Sequence, residues 1–135
     1  MGCSCSYPTY DFCIWRGEDK EFFFSFSNID STGTKAPLDL EGFDFSMTVG
    51  LKYPKKEYDK LTTQNGRLVI GVLEDNGFSP TEKGGTTLQV LFTHEATRKF
   101  PEGEAQYDLF KIDSEGKREV MLSGKISVHS GVSYA

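Results

Sequence analysis

Hydrophobic and polar residues alternate along most of this chain. In the stretch from 43 to 51, apolar residues stand at every second position, namely Phe43, Phe45, Met47, Val49 and Leu51. This period of two places one face of a β-strand in a core and the other in water. Comparable segments recur with turn residues between them, whereas helical periodicity is confined to one turn. The pattern therefore predicts an all-β protein, an antiparallel β-sandwich or barrel of about seven to eight strands.

Clusters of Gly, Asn, Asp and Pro separate the predicted strands. The strands cover residues 12–16, 21–29, 43–51, 67–73, 86–92, 105–112 and 119–128, and a weak edge strand is expected within 54–60. Asn65–Gly66 is typical of a tight turn, and residues 74–85 are expected to form a long loop. Thr93 can cap one short helical turn before the penultimate strand, because its hydroxyl accepts from free N–H groups at a helix start.

The length of 135 residues fits one domain that buries a core without disulfides. We expect a flexible N-terminal segment over residues 1–10, a single β-sandwich domain over 11–129 and a flexible C-terminal tail over 130–135. The inward positions of the strands predict a set of buried side chains. These are Phe24, Phe45, Val49, Leu88, Val90, Tyr107 and Leu122.

The charge and the apolar runs of the chain restrict its partners. The net charge of -5 argues against a nucleic-acid partner, because binding to a phosphate backbone needs clustered Lys and Arg. No apolar run approaches the length of a membrane span, and no basic start followed by an apolar stretch indicates a secretory signal. We therefore expect neither a nucleic-acid nor a membrane partner.

The three cysteines, Cys3, Cys5 and Cys13, lie near the start of the sequence. No His or further Cys near them completes a tetrahedral zinc site, so we expect free thiols and no metal or other cofactor. The opening residues MGCSCS also match the pattern for acylation at Gly2 with a second acyl chain at Cys3. A lipid-anchored adaptor is one hypothesis for the function, and it rests on this motif alone.

No pattern of residues indicates catalysis. His94 and His129 are the only histidines, and neither lies beside a Ser or Cys in a nucleophile motif. Gly84–Gly85 and Gly116 are not followed by Lys-Ser or by a helix, so no phosphate-binding loop is indicated. We expect the protein not to be an enzyme.

Residues 93–128 carry a series of turn and core motifs. A strand and a one-turn helix lead to Pro-x-Gly at 101–103, followed by Tyr-Asp-Leu at 107–109, a Ser-x-Gly hairpin and a last strand with Leu-Ser-Gly-Lys. In the N-terminal half, Arg-Gly-Glu-Asp at 16–19 precedes an aromatic strand. Over residues 14–128 the chain thus resembles small β-sandwich modules of tailed-bacteriophage virion proteins, above all the N-terminal domain of phage upper baseplate proteins.

This resemblance implies an immunoglobulin-like, Greek-key sandwich, in which the hydroxyl of Tyr107 bonds back to the loop before it. It also implies a non-enzymatic structural protein of the phage particle, in the tail, the baseplate, a fibre attachment or the head decoration. The implied partners are other virion proteins and further copies of the chain. The implied location is the virion, and the host cytoplasm during assembly. Within the last strand, Gly124 is expected to mark a bulge or a close backbone approach.

Aromatic residues make up 13% of the chain and include 11 Phe, which is more than a core of this size needs. Some of them are therefore expected on contact surfaces. The candidate contact residues are Trp15, Phe23, Phe110, Tyr53 and Tyr58, although Phe23 and Phe110 could instead be buried at a rim. The alternative function is a carbohydrate- or host-surface-binding sandwich, in which Trp15 or the Tyr53/Tyr58 loop forms a stacking platform.

Overall fold

The computed structural model describes residues 8–29, 31–52, 54–81 and 83–130. Residues 1–7 and 131–135, which hold Cys3, Cys5 and most of the two segments expected to be flexible, lie outside them. The elements in chain order are β1 Phe12–Trp15, β2 Lys20–Ser25, β3 Ser27–Ile29, β4 Lys35–Pro37, β5 Asp44–Leu51, β6 Lys56–Thr62, β7 Leu68–Glu74, β8 Gly77–Pro80, β9 Thr87–Phe92, α1 His94–Thr97, β10 Gly103–Ile112 and β11 Arg118–His129.

Two sheets form an immunoglobulin-like β-sandwich, which confirms the predicted fold class. A five-stranded sheet has the order β1-β11-β10-β5-β6, a four-stranded sheet has the order β2-β9-β7-β8, and β3 and β4 form a separate two-stranded ribbon. All pairs are antiparallel except that β1 runs parallel to β11. Strands β1 and β2 belong to different sheets. The turn between them crosses the sandwich instead of closing a hairpin.

The described residues form more strands than the predicted seven or eight. The weak edge strand is confirmed as β6, and the predicted strand 21–29 is divided into β2 and β3. The long loop expected over residues 74–85 is wrong in part, because Gly77–Pro80 forms β8, a hairpin partner of β7. This hairpin is permitted by Gly77, whose φ of 116° is accessible to glycine without strain. The short helix is confirmed, and Thr93 caps it by accepting from the N–H of Ala96 at 3.2 Å.

Six of the seven side chains predicted to be buried are confirmed. Phe45, Val49, Leu88, Val90, Tyr107 and Leu122 all belong to the core, which fills the space between the two sheets. Phe24 is only half-buried, although it packs against that core. The reason is that β2 lies at the edge of its sheet, where a side chain has strand neighbours on one side only.

The segment that leads into β1 runs beside β11. The N–H of Tyr10 donates to the carbonyl of Ser123 at 3.0 Å, and the carboxylate of Asp11 accepts from the N–H of Lys125 at 2.9 Å. The Tyr107 hydroxyl donates to the carbonyl of Tyr10. The resemblance implied that this hydroxyl bonds to the loop before its own strand, and this expectation is wrong. The predicted close approach at Gly124 is confirmed, because a Cβ there would lie 2.1 Å from the Tyr10 carbonyl oxygen.

Candidate functional site

An apolar patch lies on the outer face of the four-stranded sheet. The rings of Phe23 in β2 and Phe78 in β8 have centroids 5.3 Å apart, and Leu73 pairs with Phe78 across the β7–β8 ladder. Leu73 is 48% exposed, while the two rings are half-buried. We call these three residues, Phe23, Leu73 and Phe78, the outer apolar patch. Its aromatic and aliphatic groups are of the kind that dominates binding energy at protein interfaces.

The alternation of β2 explains why Phe23 faces outward. Its neighbours Phe22 and Phe24 face the other way, where Phe22 has its ring centroid 4.3 Å from that of Phe12 in the core. Phe23 and Phe78 lie on the two edge strands of the sheet, so their rings lean towards each other across β9 and β7. Gly71 gives the necessary space, because a Cβ there would lie 2.5 Å from the Cζ of Phe78.

A second surface surrounds Trp15 at the edge of the five-stranded sheet. Trp15 is 51% exposed and its ring lies 5.4 Å from the ring of His129, its partner in the parallel ladder. Glu102 and Glu104 complete a shallow concavity beside the two rings. We call these four residues, Trp15, Glu102, Glu104 and His129, the tryptophan surface. An exposed indole with carboxylates beside it can stack on an apolar face and accept hydrogen bonds from a polar rim.

Helix α1 holds the turn that follows Trp15. Thr97 is fully buried; its hydroxyl accepts from the N–H of Gly17 at 3.1 Å and donates to the carbonyl of Glu18 at 2.9 Å. The carboxylate of Glu18 in turn accepts from the N–H of Trp15 at 2.9 Å. The backbone of Trp15 is therefore fixed even though its side chain is exposed.

The remaining sequence candidates do not join either surface. Phe110 is half-buried, with the guanidinium carbon of Arg118 lying 4.4 Å from its ring centroid. Tyr58 is half-buried, packs against Phe100 with 6.2 Å between ring centroids, and has the Lys56 ammonium nitrogen 5.9 Å from its ring centroid. Tyr53 lies outside the described residues. The candidates Trp15, Phe23 and Phe110 thus occupy separate places, and two patch residues, Leu73 and Phe78, were missed by the sequence analysis.

Two titratable groups have shifted pKa values. Burial, followed by the charges of Asp11 and Tyr10, raises the pKa of the Tyr107 phenol well above its usual range. Hydrogen bonds from the backbone N–H of His94 at 2.6 Å and from its ring at 3.0 Å lower the pKa of Asp19. The Tyr107 hydroxyl bonds to the carbonyl of Tyr10 and so holds the segment before β1 against β10. The hydrogen bonds between Asp19 and His94 connect the β1–β2 turn to α1.

An ion pair also connects β6 with the residue that precedes β7, a strand of the other sheet. The guanidinium of Arg67 contacts the carboxylate of Asp59 in β6 through both terminal nitrogens, at 2.7 and 3.3 Å. Among the described residues no group of three or more His, Cys, Asp or Glu side chains could hold a metal ion. The same ranges contain no helix that is long and apolar enough to cross a membrane.

Comparison with known proteins gives only distant structural likeness. No family model matches the chain, and no curated protein is similar to it in sequence. The fibronectin(III)-like modules of Clostridium thermocellum CbhA are 8% identical, with 95% of this chain and 94% of that chain covered and a TM-score of 0.40. The SrpA adhesin of Streptococcus sanguinis is 16% identical, with 93% and 56% covered and a TM-score of 0.41. Likeness at this level assigns no function.

Proposed function

We propose that this chain is a non-enzymatic assembly protein of a bacteriophage particle, acting as a tail, baseplate, fibre-attachment or head decoration module. In this role it works without a cofactor, with other virion proteins and further copies of itself as partners. It is located in the virion, and in the host cytoplasm during assembly. The phage setting is supported by the resemblance of residues 14–128, and the assembly role by the outer apolar patch.

The outer apolar patch is the observation that carries this proposal. Leu73 leaves 48% of its surface in water, and the rings of Phe23 and Phe78 lie beside it on the outer face of the four-stranded sheet. Such a face suits another protein surface better than a small ligand, which needs a concave site. Truncating an aromatic anchor at the centre of an interface typically costs about 2 kcal/mol or more of binding energy.

Mass analysis of purified phage particles tests the proposal, and a variant localises the contact. Leu73→Asp puts a charge into the patch at a position that is already half-exposed, so the domain should remain folded. We expect the unmodified chain in the particles and a loss of the Leu73→Asp chain from them. Trp15→Ala is the matched control, since it removes an exposed apolar group elsewhere and should leave incorporation unchanged. A chain absent from particles would refute the proposal.

A second candidate function, carbohydrate or host-surface binding, is favoured by the tryptophan surface. The exposed Trp15 ring and the carboxylates of Glu102 and Glu104 together match the needs of a sugar, which has apolar C–H faces and hydroxyl groups around them. Binding to a glycan array tests this function. Here Trp15→Ala should abolish the signal and Leu73→Asp should retain it, which is the reverse of the result expected for virion assembly.

A further inference from the structure

Strand β2 forms one edge of the four-stranded sheet. In the described part of the chain its ladder partner is β9, with Phe22 opposite Val90 and Phe24 opposite Leu88. Every second residue of β2 therefore turns its N–H and C=O groups away from β9. Such an edge is a template on which another strand can form hydrogen bonds.

The other three edges of the two main sheets, β1, β6 and β8, carry features that oppose strand addition and that β2 lacks. Strand β8 has four residues and ends at Pro80, and β1 also has only four residues. Strand β6 has an irregular register opposite Val49 and Gly50. Strand β2 has six residues with three consecutive phenylalanines and no proline, and its register with β9 is unbroken. Short length, proline, bulges and charged side chains are the usual protection of edges, and β2 carries charged side chains only at its first two positions, Lys20 and Glu21.

Aromatic rings lie open along this edge, at the seam between the two sheets. Phe22 packs against Phe12 with 4.3 Å between ring centroids, and Phe24 packs against Tyr10 at 5.5 Å. Phe22 and Phe24 are half-buried and Tyr10 is 46% exposed. A strand added to β2 would remove part of this apolar surface from water.

We propose that a second copy of this chain adds its own β2 to this edge, antiparallel, around a two-fold axis that passes Phe23. The two four-stranded sheets then form one continuous sheet. This inference rests on the proposed assembly function and names one partner for it. The interface is isologous, because the same strand is used by both copies.

The alternation of β2 restricts where the two-fold axis can pass. Opposing residues share a face of the sheet, and Phe22 and Phe24 face the core while Phe23 faces outward. The axis must therefore pass a residue, not a point between two residues. Two of the possible axes give unfavourable pairs. An axis at Phe22 places the Glu21 carboxylate opposite a phenylalanine, and an axis at Glu21 places two carboxylates opposite each other.

The register centred on Phe23 gives pairs of compatible chemistry. It places Phe23 opposite Phe23 of the second copy, Phe22 opposite Phe24, and Glu21 opposite Ser25. The aromatic cross-strand pair of Phe22 with Phe24 is stabilising, and the Ser25 hydroxyl can donate to the Glu21 carboxylate. An axis at Phe24 also avoids like charges, but it uses only the last three residues of β2, so the centre at Phe23 is favoured.

Sedimentation velocity of the full chain at about 1–100 μM tests whether a dimer forms. Ser25 allows a matched pair of variants, because it is exposed and faces Glu21 of the second copy. Both Ser25→Glu and Ser25→Lys lose the contact of the hydroxyl with Thr87 at 2.8 Å, so they alter the monomer alike. In Ser25→Glu both symmetric pairs with Glu21 become like-charged, and in Ser25→Lys both become oppositely charged. We therefore expect a Kd for dimerisation about tenfold higher for Ser25→Glu than for Ser25→Lys.

A crosslinking experiment tests the register. In a chain with Cys3, Cys5 and Cys13 replaced by Ser, variants Glu21→Cys and Ser25→Cys are prepared separately, mixed and oxidised. Opposing residues have Cα atoms about 4.5–5.5 Å apart, which a disulfide can bridge. We expect a mixed disulfide between the two variants. Glu21→Cys alone should give none, because its two copies lie four residues apart along the strand, about 13 Å.

A monomer throughout the concentration range would refute the pairing. A dimer that is equally stable in both Ser25 variants and forms no mixed disulfide would also refute it, because another surface would then be the interface. Particle composition separates this inference from the proposed function. A strict monomer that is present in particles refutes β2 pairing and retains the assembly function. A dimer that is absent from particles refutes the assembly function and retains β2 pairing.

Discussion

Substitution of Gly124 by alanine should detach the segment before β1 from the sheet. A Cβ at this position would lie 2.1 Å from the carbonyl oxygen of Tyr10 and 2.8 Å from its carbonyl carbon, distances that atoms do not adopt. The obstacle is backbone on both sides, so a side-chain rotation cannot relieve it. Either Tyr10 moves away or β11 is distorted.

The cost follows from the hydrogen bonds that depend on the position of Tyr10. Its N–H bonds to Ser123, its carbonyl accepts from the Tyr107 hydroxyl, and the next residue accepts from the N–H of Lys125. At a net value of about 1 kcal/mol for each of three bonds, the loss is about 3 kcal/mol. We therefore expect Gly124→Ala to lower the free energy of unfolding by about 2–4 kcal/mol.

Urea unfolding followed by far-UV circular dichroism measures this loss. Ser127→Ala is the control, because Ser127 is an exposed residue of the same strand and its truncation should change stability by less than about 0.5 kcal/mol. Tyr107→Phe supplies a double-mutant cycle. Because Gly124→Ala already displaces the Tyr10 carbonyl, the Tyr107→Phe change should cost less in its presence than in the unmodified chain. A Gly124→Ala variant as stable as the Ser127→Ala control would refute the reasoning.

Three further predictions concern the core and the pH dependence of stability. Phe45→Ala and Leu88→Ala, both at fully buried positions, should each cost about 2–5 kcal/mol in urea unfolding, and losses below about 0.5 kcal/mol would show that other faces form the core. Because the pKa of Tyr107 is raised, the unfolded chain ionises first, so stability should fall above about pH 10, and less steeply in Tyr107→Phe. Because the pKa of Asp19 is lowered by its hydrogen bonds from His94, stability present at neutral pH should be lost below about pH 4, and urea midpoints of Asp19→Asn should show a smaller loss.

The sequence by itself determined where most of the strands lie and which of their faces enter the core. Alternation is a local property, since successive side chains of any strand point to opposite sides. Phe45, Val49, Leu88 and Val90 were therefore assigned to the core without knowledge of the strand order. The cap at Thr93 was also predicted, because an N-cap acts within its own helical turn.

Tertiary structure alone decided which strands are neighbours and which outward residues meet. Strand β8 is short and bounded by glycine and proline, so the sequence offered too little alternation to distinguish it from a loop. The contact of Phe23 with Phe78 and the pairing of Trp15 with His129 depend on sheet order, which joins residues far apart in the chain. For the same reason the sequence predicted a close approach at Gly124 but not that Tyr10 is the group approached. Long-range pairing is set by the sum of many contacts, and no local pattern records it.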